Sequence, residues 1–159
     1  MAHLLLNKNV LCDIMVSENF ERCFFMTRGE FEAMVFEAYG VRADYPFEED
    51  FVTGVFRHTG TGKWFALAMN IGERKIGRDG DRRIDVVNLK CAPEVVESIA
   101  GIEPGIYPAY HMNKTHWLTV ALSECESDTV AWLLGISYDL TGSKDKSKKK
   151  CTVQRKIKL

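Results

Sequence analysis

Apolar positions in this chain recur with two periods, and each marks a different kind of element. After Thr27, the residues Phe31, Met34, Val35, Ala38 and Tyr39 fall three or four apart on one helical face, with Glu30, Glu32 and Glu37 off it. Thr27 followed three residues later by Glu30 is a capping-box pattern, in which each side chain satisfies the other's otherwise unpaired backbone N–H. Gly40 is placed to end the helix. Asp44 to Asp50, with Pro46, reads as a loop. Val52 to His58 and Lys63 to Met69 then read as two strands around the turn Thr59-Gly60-Thr61-Gly62. Trp64 to Met69 is apolar without interruption, as in a strand buried on both faces.

Residues 72–83 form a polar stretch with an Asp79-Gly80 turn, and Ile84 to Lys90 is a third strand. Pro93 opens a short helix through Ala100, since proline's missing N–H is harmless in a first helical turn. Pro104, Gly105 and Pro108 punctuate the loop that follows. Tyr110 to Met112 and His116 to Leu122 are expected to be strands around a tight connection. In the second, Leu118, Val120 and Leu122 alternate with Trp117, Thr119 and Ala121. A last helix, from about Glu126 to Leu140, presents Val130, Leu133, Leu134 and Tyr138 on one side, weakened somewhat by Gly135. This order predicts an α+β fold: a single compact domain with a mostly antiparallel sheet packed with about three helices. We divide the chain into a poorly patterned lead-in (1–26), the domain (27–142) and a Lys/Ser-rich tail (143–159). Leu4 to Leu6 and Phe20 to Met26 can pack within the lead-in, and the tail has the composition of disorder.

At 159 residues the chain suits one domain and is long enough to bury a core. No apolar run approaches the roughly 20 residues that span a bilayer. The start carries no basic leader or cleavage-like segment, so we expect a cytoplasmic protein that does not engage membranes. Five cysteines, an odd number with no C-x-x-C pair, signal neither a disulfide framework nor a zinc site; reduced thiols are expected. The tail carries eight basic side chains, Lys144, Lys146, Lys148, Lys149, Lys150, Arg155, Lys156 and Lys158, against Asp145 alone. Of the chain's 21 basic and 22 acidic side chains, that leaves 13 and 21 elsewhere. An acidic body repels a polyphosphate on average, so a nucleic-acid role needs a local basic patch or the tail.

Several stretches resemble a known family. They are Val86-Val87-Asn88-Leu89-Lys90-Cys91-Ala92-Pro93-Glu94, Tyr110-His111-Met112-Asn113-Lys114-Thr115-His116-Trp117 and Ser137-Tyr138-Asp139-Leu140. With the hairpin from Gly54-Val55-Phe56-Arg57 to Lys63-Trp64-Phe65-Ala66, they are similar in order and spacing to the MmcQ/YjbR family over roughly residues 28–142. The resemblance implies a compact domain whose hairpins act as two wings that bind DNA. One departure is Ala92, where the family usually has an acidic residue; its loss weakens the cap of the helix at Pro93 by about 1 kcal/mol.

Two readings stand for most of the candidate residues. Asn113, Lys114 and His116 can contact phosphate, with Trp117 as a stacking surface. Alternatively, Asn113 shapes a turn, His116 bonds backbone and Trp117 anchors the hairpin in the core. Asn88 and Lys90 share a strand face and either extend that polar surface or, for Asn88, satisfy buried backbone groups. Arg57, His58 and Lys63 flank the first hairpin turn as phosphate contacts or as solubilising ends. Arg74, Lys75, Arg78, Arg82 and Arg83, set against Glu73, Asp79 and Asp81, make the body's one basic cluster, a nucleic-acid contact or a solvated loop.

Trp64, Ser137 and Tyr138 are motif positions with a structural role. His111 and His116 lack a third metal ligand, and Cys91 follows an apolar strand, as a buried small hydrophobe does. Neither G-x-x-x-x-G-K-[ST] nor G-x-G-x-x-G occurs. We therefore expect a monomeric DNA-binding module with no catalytic residues, metal or cofactor, which contacts phosphates through Arg57, Lys63, Lys90, Asn113, Lys114 and His116. The alternative is an adaptor for a basic protein or a small ligand, with Trp117, Tyr110 and Asn113 lining a groove.

Overall fold

The computed structural model describes residues 25–142. The expected packing of Leu4 to Leu6 and the expected disorder of the Lys-rich tail fall outside the described residues. The elements in chain order are α1 (Arg28–Tyr39), β1 (Gly54–Arg57), β2 (Trp64–Gly72), a 3-10 turn (Glu73–Ile76), β3 (Arg83–Lys90), α2 (Pro93–Ile99), β4 (Ile106–Pro108), β5 (Trp117–Ala121) and α3 (Ser127–Thr141). The strands form one sheet in the order β1-β2-β3-β5-β4, antiparallel at every pairing. With three α-helices packed on it, this is the α+β arrangement expected from the sequence.

Local chemistry sets the boundaries of α1. Thr27 Oγ1 accepts the Glu30 N–H at 3.3 Å, and the Glu30 carboxylate accepts the Thr27 N–H at 2.7 Å. Gly40 ends the helix in a left-handed conformation, with its N–H donating to Phe36 O. The buried stripe is narrower than expected: Phe31 and Val35 are buried, Met34 and Tyr39 pack at its margin, and Ala38 is exposed.

The main core lies between the helices and one face of the sheet, where Phe31, Phe56, Phe65, Leu89, Leu118, Leu133 and Leu134 are fully buried or nearly so. A β-bulge at β1–β2 pairs Phe56 with Ala66 but Arg57 with Trp64. Phe65 and Ala66 thereby both join the helix-side core, while Trp64 and Leu67 belong to the opposite, open face. That face has a smaller apolar cluster of Val55, Leu67, Met69, Ile71, Val86 and Ala121.

The strand expected at Tyr110 to Met112 is not formed. Pairing occurs earlier, at Ile106–Pro108, and the chain leaves the sheet after Pro108. Pro108 is accommodated because β4 is an edge strand, where proline's missing N–H breaks no ladder bond. His111 sits at φ +59°, outside any strand conformation. The 72–83 stretch is also shorter than expected as a loop. The strand before it runs to Gly72, with Ile71 paired to Ile84, and a 3-10 turn follows.

Candidate nucleic-acid interface

Strand register brings the candidate cations to one end of the sheet. Lys90 pairs with Trp117 and Arg57 with Trp64, and the β1–β2 turn and residues 109–116 project from the same end. Arg57, Lys63, Lys90, Asn113, Lys114 and His116 all lie there; Lys63, Asn113, Lys114 and His116 are exposed, and Arg57 and Lys90 partly buried. Lys63 and Lys90 line a pocket of about 390 Å³ together with Trp64, Met112, Trp117, Leu140 and Thr141. Arg57 pairs with Asp44 at 3.2 Å and lies over the Trp64 ring at 5.1 Å. Among the described residues, Lys63, Lys90 and Lys114 make no ion pair.

Asn113 and Asn88, near these cations, bond neighbouring backbone. Asn113 Oδ1 accepts the Thr115 N–H at 2.8 Å, and its carbonyl takes the N–H groups of His116 and Trp117. It shapes the turn that exposes Lys114. Asn88 is fully buried and does not extend the polar surface. Its Nδ2 donates to Tyr110 O at 2.7 Å, and its Oδ1 accepts from Thr119 Oγ1 at 2.6 Å, while Thr119 Oγ1 accepts the Tyr110 N–H. These bonds fasten residues 109–112 across the open face.

Ser137 fixes the backbone beneath Lys90. Its buried Oγ accepts the Lys90 N–H at 2.8 Å and donates to Phe65 O, tying β2, β3 and α3 together. Tyr138, one residue on, stacks on Tyr39 with ring centroids 3.9 Å apart. His58 is internal rather than a wing tip: its Nε2 lies 2.8 Å from Thr141 Oγ1. That hydroxyl donates to Ser137 O, so the ring nitrogen is the donor. Burial pushes the His58 pKa below its ordinary value; the Tyr138 backbone opposes the shift and Lys63 adds to it.

A family model described as YjbR matches residues 36–140. The chain belongs to the YjbR family. In agreement, this YjbR domain is 38% identical over 117 residues to the uncharacterized Bacillus subtilis (strain 168) protein YyaQ, covering 73% of this chain and 98% of that protein. A Pseudomonas syringae crystal structure superposes with a TM-score of 0.71 at 43% identity, covering 74% of this chain and all of that one. A Deinococcus radiodurans crystal structure of domain family DUF419 superposes with a TM-score of 0.58 at 28% identity, covering 76% and 81%.

The YjbR domain's other basic cluster lies at the opposite end of β2 and β3 and is largely self-neutralised. Arg74 pairs with Asp81 at 3.0 Å, Arg78 with Glu73 and Glu124, and Arg82 with Glu73 at 3.4 Å. Arg83 donates to Asn70. Burial alone would raise the Glu73 pKa, but the Arg82 N–H and the Arg82 and Arg78 guanidiniums outweigh it and hold the carboxyl below its usual range. Cys91 and Cys125 are buried free thiols; burial pushes both up to about 11, with Glu126 and Glu103 adding to the shift at Cys125. Among the described residues, no three potential metal ligands come together, and no helix is long and apolar enough to cross a membrane.

Of the residues expected to line one groove, Trp117 and Tyr110 border two adjoining cavities that share Trp64 and Met112, and Asn113 lines neither. Trp117 lines the lysine pocket, and Tyr110 lines a second groove of about 550 Å³ on the open face. Leu67, Met69 and Ile71 contribute to that second groove, with Phe47, Glu49 and Asp50 from the loop before β1. Asp50 braces this loop: the Thr53 hydroxyl and the Val52 N–H both donate to it and lower its pKa. Met112 and Leu140 lie in the stretches that carry the family resemblance, yet nothing local marks them as pocket walls; the segment between β4 and β5 and the end of α3 bring them together.

Proposed function

We propose that this YjbR-family domain binds DNA with low sequence specificity, through Lys63, Lys90 and Lys114 on backbone phosphates. One observation carries the reading. Residues 25–142 contain four lysines, and three of them meet at one sheet end without a carboxylate partner among the described residues. At the far end Arg74, Arg78 and Arg82 are held by Asp81, Glu73 and Glu124, which leaves only Lys75 and Arg83 there without an ion pair among the described residues. The acidic remainder of the body repels a polyanion from other directions, which orients its approach.

Neutralising three or four phosphates gives an affinity that falls roughly 40- to 150-fold between 50 and 200 mM salt. Fluorescence anisotropy with a short duplex at those two salt concentrations tests this, using the full chain and a chain ending at Gly142. No binding of this duplex or of its single strand at 50 mM, or binding lost entirely with residues 143–159, defeats the reading for the folded domain. A ligand-binding adaptor is the second reading, favoured by the 550 Å³ groove: its apolar floor beside Glu49 and Asp50 suits a ligand with an apolar body and a positive charge.

A further inference from the structure

Three lysines account for phosphate contact but not for the two indoles set among them. Trp64 and Trp117 are both partly exposed, and both line the 390 Å³ pocket with Lys63 and Lys90. Trp117 is the register partner of Lys90, and Trp64 lies on the strand at the other side of β3. The two indoles therefore stand on the strands either side of β3, two strand spacings or roughly 10 Å apart at the backbone, and face one pocket with Lys90. Met112 and Leu140 supply apolar walls.

Trp64 is held before any ligand arrives. Arg57 covers its ring at 5.1 Å and is itself fixed by Asp44, and Phe47 meets it edge-on at 6.2 Å. A pre-set ring loses little side-chain freedom when a ligand stacks on it.

We infer that the preferred ligand is single-stranded DNA, with one or two unpaired bases stacked on Trp64 and Trp117 while Lys63 and Lys90 hold the flanking phosphates. This rests on the DNA reading above and deepens it. A duplex offers the lysines the same phosphates but hides its base faces in its own stack, so the indoles gain nothing from it. Base–aromatic stacking is indifferent to sequence, in keeping with low specificity.

The test is anisotropy with a labelled 12-nucleotide single strand and the same sequence as duplex, at 50 mM salt. The proteins are the full chain, Trp117→Leu and Lys90→Gln, each checked for folding by circular dichroism. The single strand is expected to bind at least tenfold more tightly. Trp117→Leu should weaken it roughly 5- to 150-fold while changing duplex affinity less than twofold, and Lys90→Gln should weaken both. A second measurement uses Trp132→Phe, which removes an exposed indole outside the pocket, so that emission reports Trp64 and Trp117. Quenching by the single strand and not by the duplex supports the inference without any pocket substitution. Duplex binding as tight as single-strand binding, or absent quenching, overturns the stacking inference and leaves phosphate contact standing. No binding of either form overturns both.

Discussion

Replacing Asn88 tests whether the open face is held together by one buried amide. In Asn88→Ala the Tyr110 carbonyl and the Thr119 hydroxyl lose partners at 2.7 and 2.6 Å in a fully buried setting. Two hydrogen bonds at about 1 kcal/mol each, an unsatisfied carbonyl and a small void together cost roughly 2–4 kcal/mol. For a domain of about 120 residues that lowers Tm by roughly 6–20 °C. Asn88→Asp is sharper, because only its protonated form can repeat both bonds: the acid O–H donates to Tyr110 O while the other oxygen accepts from Thr119. Ionised, it faces a carbonyl without solvent, so its folded pKa rises above the unfolded value of about 4. The variant's stability is then near that of the natural chain below about pH 4, and falls by up to about 1.4 kcal/mol per pH unit until the folded pKa is passed. Urea unfolding followed by circular dichroism at pH 4, 5, 6 and 7.5, as the difference from the natural chain at each pH, measures this. A pH-independent Asn88→Asp penalty, or an Asn88→Ala cost within about 0.5 kcal/mol of zero, refutes the reasoning.

Three further outcomes follow from the same geometry. Gly105 has φ +76°, and an added Cβ would lie 2.7 Å from the backbone of Glu124 and Cys125; Gly105→Ala should cost roughly 2–4 kcal/mol in denaturant unfolding. His58 is buried with a lowered pKa, so the unfolded chain binds its proton more readily. Its contribution to stability is full above about pH 6.5 and is lost as pH falls toward the folded pKa, a slope that His58→Gln should remove from the pH–stability curve. Ala92 caps α2 without any side-chain bond, in an extended conformation; Ala92→Asp should stabilise the domain by about 0.5–1.5 kcal/mol, read as a raised urea midpoint.

What the sequence could show depended on how local the cause was. The limits of α1 follow from Thr27, Glu30 and Gly40, all in contact with their own helix, and the run at Trp64–Met69 reads as a central strand because burial on both faces needs only consecutive apolar residues. β4 was not legible, since Pro108 reads as a breaker unless it is known to lie at a sheet edge. Asn88 had two open readings for a similar reason. Strand alternation gives its face, but only the return of residues 109–112 over that face shows that it is buried. The arginine cluster looked available for DNA because one of its neutralising partners, Glu124, lies 46 residues from Arg78.

The margins of the sheet have a consequence for how the molecule can associate. β4 is three residues long and includes Pro108, and β1 spans four residues, with Asp44 bridging to Val55 along its outer side. Neither border offers an uninterrupted row of free N–H and C=O groups long enough to template another chain's backbone. Recruitment by strand addition is disfavoured at both flanks, and a macromolecule that engages this domain must do so by side-chain chemistry on its face or its tip.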